Sequence, residues 1–136
     1  MSYAIQPLSS SEERALSFTA NLAQAAATYD LCTASGGNVM IDLALLSIYV
    51  ATAGATFTSV SIQTNQTNNT VILTSTEGLL ANIIAQKNLV RAIPVIGGML
   101  LASGQKIQYT IAGATGTGSL TVAIPFMPLA DGATLV

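Results

Sequence analysis

The chain has 136 residues, enough for one domain with a substantial core. Charged residues make up only 7% of it, four Lys or Arg against six Asp or Glu, for a net charge of −2. So sparse a basic complement excludes the phosphate-neutralising surface of a nucleic-acid binder. The absence of His excludes Ser-His-Asp and Cys-His catalysis and every His-bearing metal site.

Tyr3 to Leu8 (YAIQPL) reads as an extended apolar arm, because Pro7 disfavours helix in the residue before it. Behind it, Ser9-x-x-Glu12 and Ser10-x-x-Glu13 both fit a capping box, in which hydroxyl and carboxylate satisfy the first free amides of a helix. A short helix is therefore expected from near Ser11. Arm and helix are expected to occupy residues 1–24, ahead of a β domain over 25–136. The first residues lack the basic and apolar regions of a signal peptide, so none is expected.

The β domain is expected to open with a strand over Ala26 to Thr33. The run that follows, Val39 to Ala51 (VMIDLALLSIYVA), is nearly all apolar. A bilayer-spanning helix needs about 20 apolar residues. This run is shorter and holds Asp42, which costs ~2.5–3.5 kcal/mol on insertion scales. Its nearest basic residues are Arg14 and Lys87, so it has no positive-inside cue either. Val39, Ile41, Ile48, Tyr49 and Val50 favour strand, and Gly36-Gly37 and Gly54 bracket the run. Odd and even positions are both mostly apolar, which predicts a strand covered on both faces. A core helix over Asp42 to Leu46 is the alternative.

Thr56 to Thr64 and Thr70 to Ser75 are β-type runs joined by the polar loop Asn65 to Asn69, a hairpin pattern. Thr76 to Ile84 reads as a short helix or a covering loop. Leu89 to Ile96 and Met99 to Ala102 are expected to pair through Gly97-Gly98. Ile107, Tyr109 and Ile111 alternate with Gln108 and Thr110, and Leu120, Val122, Ile124 and Phe126 alternate with Thr121, Ala123 and Pro125. Ser103-Gly104 and Gly113 to Gly118 punctuate these last strands. The sum is an all-β fold, a jelly-roll-like antiparallel β-sandwich of about eight strands.

Residues able to carry chemistry are few. Cys32, alone in its predicted strand, reads as a small buried hydrophobe. The carboxylates at positions 12, 13, 30, 42, 77 and 131 are scattered, and the adjacent Glu12-Glu13 fall in the expected first helical turn, where acids favour the dipole. Asp30 with Asp42 is the one acid–base pair worth weighing, and nothing in their spacing joins them. Gly113-Ala-Thr-Gly-Thr-Gly118 lacks the Lys of a phosphate-binding loop and lies between two strands, so it reads as a hairpin. Asn65 and Asn68 fit glycosylation sequons but read as turn residues. No catalytic, cofactor-binding or metal-ligating residue is assigned, and no enzyme is expected.

The surface is the unusual feature. An ordinary soluble domain is roughly 25% charged, and neutral, apolar surface invites association. A homo-oligomer is therefore expected, with partners covering much of the surface; a neutral monomer kept soluble by hydroxyls and amides is the alternative. The candidate contact residues are Tyr3, Ile5 and Leu8 in the arm, and Leu129, Leu135 and Val136 in the apolar tail from Pro128. The arm suits addition of a strand to a neighbour's sheet edge.

The runs Tyr29-Asp-Leu-Cys-Thr33 and Gly36-Gly-Asn-Val-Met-Ile41, with Gly116-Thr-Gly-Ser119 and Pro128-Leu-x-Asp-Gly-Ala133, resemble small virion proteins of tailed-bacteriophage structural operons. The resemblance covers about Ala26 to Val136. It implies a capsid decoration (cement) protein that trimerises and clamps neighbouring major capsid subunits. Such a protein is made in the host bacterial cytoplasm and resides on the capsid surface. No nucleic-acid, membrane or cofactor partner is expected. Two other classes remain. A tail, fibre or baseplate component differs in copy number. A carbohydrate- or ligand-binding sandwich is disfavoured by the lack of Trp and by only four Tyr and three Phe.

Overall fold

A computed structural model describes residues 13–54, 57–85, 88–89 and 97–136. These form two antiparallel sheets packed face to face. The first holds β1 (Arg14–Asn21), β3 (Val39–Asp42), β4 (Ser47–Gly54), β7 (Asn88–Leu89), β8 (Gly98–Leu101) and β10 (Thr117–Pro128). The second holds β2 (Thr28–Ser35), β5 (Phe57–Thr64), β6 (Val71–Leu73), β9 (Lys106–Gly113) and β11 (Thr134–Leu135), in the order β11-β2-β9-β5-β6. One short helix, α1 (Leu80–Ala85), accompanies them. The expected all-β sandwich is the fold.

β10 is the axis of the first sheet. Phe126 pairs with both Arg14 and Ile41, and Val122 with both Phe18 and Ile48. A strand residue has one neighbour per side, so β1 runs along one side of β10 while β3 and β4 follow each other along the other. β8 and β7 then pair with the outer edges of β3 and β4.

The apolar run from Val39 is therefore one lane beside β10, interrupted once. The interruption is chemical. An Asp42 carboxylate oxygen accepts from the N–H groups of Ala44 (3.0 Å) and Leu45 (3.3 Å), an Asx-type turn. Leu43 and Leu46 turn into the core and Leu45 is 63% exposed. Neither the doubly covered strand nor the alternative core helix forms. Val39, Ile41, Ile48 and Val50 point inward while Met40, Asp42, Ser47 and Tyr49 point outward. Both parities look apolar in the sequence because the turn after Asp42 switches the inward positions from odd in β3 to even in β4, and Met40 and Tyr49 add apolar side chains at outward positions.

The helix expected near Ser11 is also overturned for the residues described. Arg14 to Asn21 pair with β10 over eight residues in unbroken register. Leu16, Phe18 and Ala20 alternate with Ala15, Ser17 and Thr19, a period of two that β10's open edge can use, and this tertiary pairing overrides the capping signal. Ala20 and Leu22 are fully buried. The β domain thus includes residues 13–24, in contrast to the expected boundary at residue 25.

Two other expectations fare better. β5 and β6 form the hairpin, and of the two readings of Thr76 to Ile84, short helix or covering loop, the helix forms from Leu80 as α1 after a turn. Leu89 and Met99 to Leu101 do not pair with each other: they belong to β7 on β4 and β8 on β3. Residues 90–96 of that expected pair lie outside the described residues.

The core between the sheets includes Phe57, Ile62, Ile107, Val122, Ile124 and Phe126, each 2% exposed or less. Each such side chain contributes about 1.5–3 kcal/mol of burial. Tyr109 bridges the sheets: its hydroxyl accepts from the Asn21 N–H (3.2 Å) and donates to Gln24 Oε1 (2.7 Å), while its ring stacks on Tyr29 at 5.5 Å. Burial raises the Tyr109 hydroxyl pKa above its ordinary value.

Candidate functional site

The acids carry what chemistry the sequence allows. Asp30 and Asp42 are not brought together; they sit on strands of opposite sheets. Asp30 accepts from Gln108 Nε2 (2.8 Å) and pairs with Lys106, and these two contacts lower its pKa, the Gln108 hydrogen bond most. Glu77 accepts from Thr74 N–H and Oγ1, and Thr74 Oγ1 accepts in turn from Glu77 N–H, a reciprocal lock on the turn before α1.

Two acids do meet: Glu13 and Asp42. Both line one cleft, and the neighbouring Asp42 carboxyl raises the pKa of Glu13, through hydrogen bonding most, with smaller contributions from desolvation and charge repulsion. Sequence reasoning misses this pair because the capping boxes place Glu13 in a helical turn. The alternation of β1, extended back by one residue, puts Glu13 on the outward parity with Ala15 and Ser17.

No cluster of three or more His, Cys, Asp or Glu able to hold a metal occurs among the described residues. Cys32 is 2% exposed, and burial pushes its thiol up to about 12, which makes it a poor nucleophile. Gly113 to Gly118 is the β9–β10 connection. Gly116 is required there because a Cβ would run into the Phe57 ring. No helix among the described residues is long and apolar enough to cross a membrane.

The expected contact residues divide. Tyr3, Ile5 and Leu8 lie outside the described residues. Leu129 and Val136 are exposed, at 47% and 64%. Leu135 is corrected: at 3% exposure it is a core residue of β11, and a side chain packed between the sheets is not offered to a partner. The tail itself is tied to its own sheet, with Thr33 N–H donating to the Val136 carbonyl (2.7 Å) and Val136 N–H to that of Thr33 (2.9 Å).

The surface that stands out is the outer face of the first sheet. Pairing across β1, β10 and β4 sets Ser17 beside Ala123 beside Ser47, and Thr19 beside Thr121 beside Tyr49. One end of the face carries Leu100, Met40 and Met127 side by side. Among the described residues, Glu13, just ahead of β1, and Asp42, at the end of β3, put charge on this face, both at that same end. There they rim a cleft of about 440 Å³ floored by Met40, Met127 and Gly98. Met40 packs directly over Gly98, where a Cβ would lie 2.9 Å from its sulfur. The opposite outer face, on the second sheet, is polar and internally bonded: Asp30 with Lys106 and Gln108, Thr28 Oγ1 with Thr110 Oγ1 at 2.8 Å.

Compared with protein-family models, curated proteins and solved structures, the chain has no match.

Proposed function

We propose that this chain is a non-enzymatic virion protein of a tailed bacteriophage, which decorates the capsid and bridges neighbouring major capsid subunits. The supporting observation is the outer face of the first sheet. It is built of small uncharged side chains (Ala15, Ser17, Thr19, Ala123, Thr121), with Tyr49, Leu100 and the two methionines as larger apolar contacts. Such a face permits close, dry contact with little desolvation of charge. Obligate interfaces of that kind run to about 2,000–5,000 Å² and are more apolar than transient ones. The decoration proteins that the sequence resembles trimerise, and a homotrimer is part of the proposal. Light scattering that gave a clean 13.9 kDa species at micromolar concentration would remove it.

The experiment adds purified protein to undecorated shells and measures occupancy for wild type, Ser17→Lys and Thr28→Lys. Both substituted positions are exposed, so both variants keep the fold. Lysine at position 17 traps an unpaired ammonium in the contact, a cost of ~3–5 kcal/mol that weakens attachment more than a hundredfold. Lysine at position 28, on the second sheet, leaves attachment unchanged. Equal attachment of Ser17→Lys and wild type overturns the assignment of the face, and absence of any attachment overturns the function. Copy number per particle separates shell from tail.

A further inference from the structure

The chain holds few charges, and two of its acids converge on the one end of the first sheet's outer face that is also its most apolar. Taking that face as the docking surface proposed above, we infer that the Glu13–Asp42 cleft receives a segment of a partner protein in which an apolar side chain neighbours a lysine or arginine. The apolar group lies on Met40 and Met127, and the cation sits between the two carboxylates.

Charge complementarity selects this occupant. Two carboxylates on the rim of one cleft repel when both are ionised, and a cation placed between them removes that cost. One Asp42 oxygen already accepts the Ala44 and Leu45 amides, which fixes the carboxylate in place for a partner. An acidic or phosphorylated segment is excluded by the same pair. The floor suits an unspecialised apolar side chain, because methionine is flexible and polarisable and adapts to what it meets. The volume is within the range of about 300–1,000 Å³ typical of built binding clefts. Lys106 is not the cation, since it is bonded to Asp30 on the other sheet.

The test has two arms. In the first, the full chain is titrated with n-hexylammonium, n-hexanol and n-hexyl sulfate while the Met40 and Met127 methyl and Gly98 amide NMR signals are followed. The ammonium is expected to perturb these signals at lower concentration than the alcohol, and the sulfate least of all. The preference for ammonium is expected to vanish in the double variant Glu13→Gln/Asp42→Asn, whose side-chain carbonyl at position 42 retains the turn's acceptor. In the second arm, the same double variant is expected to attach to undecorated shells about fivefold more weakly, the scale of one exposed charge pair, with a flatter salt dependence. If hexylammonium binds no better than hexanol, the cleft inference is overturned even where shell attachment persists and the face assignment stands. Selective ammonium binding without any shell attachment supports the cleft and overturns the capsid reading. Salt-dependent self-association that the double variant abolishes would make the occupant a second copy of the chain and overturn the inference as stated.

Discussion

Gly78 provides the sharpest test of how the second sheet is held together. Its backbone conformation is open to any residue, so its constraint is space alone. A Cβ at position 78 would overlap the Val60 carbonyl oxygen and lie 2.9 Å from its carbon, where ordinary contact begins at 3.4 Å. The two segments are bonded to each other at that point: Val60 N–H donates to the Gly78 carbonyl at 2.9 Å, and Ser59 bridges to Leu79. Alanine therefore forces the turn off β5, breaking roughly two backbone hydrogen bonds at ~0.5–1.5 kcal/mol each. It also disturbs Val60, which is fully buried and worth ~1.5–3 kcal/mol. The expected loss is ~3–6 kcal/mol, a large part of the ~5–15 kcal/mol that holds a domain folded. Gly104→Ala is the control. Gly104 has φ +88° with nothing within 4 Å of the place its Cβ would occupy, so alanine there meets only backbone strain of ~1–2 kcal/mol. Urea denaturation followed by far-UV circular dichroism measures both. A Gly78→Ala protein within about 1 kcal/mol of wild type, or no more affected than Gly104→Ala, would refute the reasoning.

The buried Cys32 thiol is expected to react with a disulfide reagent only as fast as the domain opens, so its labelling rate in urea should track unfolding; fast labelling of the native protein would contradict its placement. Glu13 has a raised pKa, so the folded state binds its proton more tightly than the unfolded state, and stability falls as pH rises from the ordinary carboxylate value through the raised one. Glu13→Gln should accordingly raise the urea midpoint at pH 7 and not at pH 3, whereas an equal shift at both would sever the effect from titration. Asp30 runs the other way: its lowered pKa gives stability that is present above the ordinary Asp value and lost as pH falls through the lowered one, so Asp30→Asn should cost stability at neutral pH and nothing in strong acid. Removing residues 1–24 should abolish cooperative folding relative to removal of 1–12, because it deletes buried Ala20 and Leu22 and the whole β1 partner of β10; similar unfolding midpoints for the two would place β1 outside the domain.

The sandwich is legible in the sequence because most strands announce themselves by alternation, as Ile107-Tyr109-Ile111 and Leu120 through Phe126 do. Other features are not. Asp42 looks like an intruder in an apolar strand, yet it is the residue that ends the strand by taking two backbone amides. Arg14 to Asn21 carries a period of two, but the capping boxes ahead of it are a local signal, and only the length of β10 supplies the competing partner. The Glu13–Asp42 pair depends on register between strands far apart in sequence, which composition and spacing do not encode. Leu135 misleads for a related reason: an apolar chain end looks unsatisfied until β2 is seen to hold it.

The scarcity of charge is not spread evenly, and its distribution argues for which side of the molecule meets water. On the second sheet's outer face the polar groups answer one another, with Lys106 and Gln108 on Asp30 and Thr28 on Thr110. A face so satisfied is at ease in solvent and gains little from being covered. Among the described residues, the first sheet's outer face has hydroxyls and methyls in place of such pairs, and the acids Glu13 and Asp42 meet there at a cleft floored with methionine. Covering it strips away little bound water, buries Leu100 and Tyr49, which are 47% exposed, and brings a counter-charge to the acid pair. Burial of apolar area and relief of like charge then act at the same place. A surface kept soluble for its own sake would have separated them.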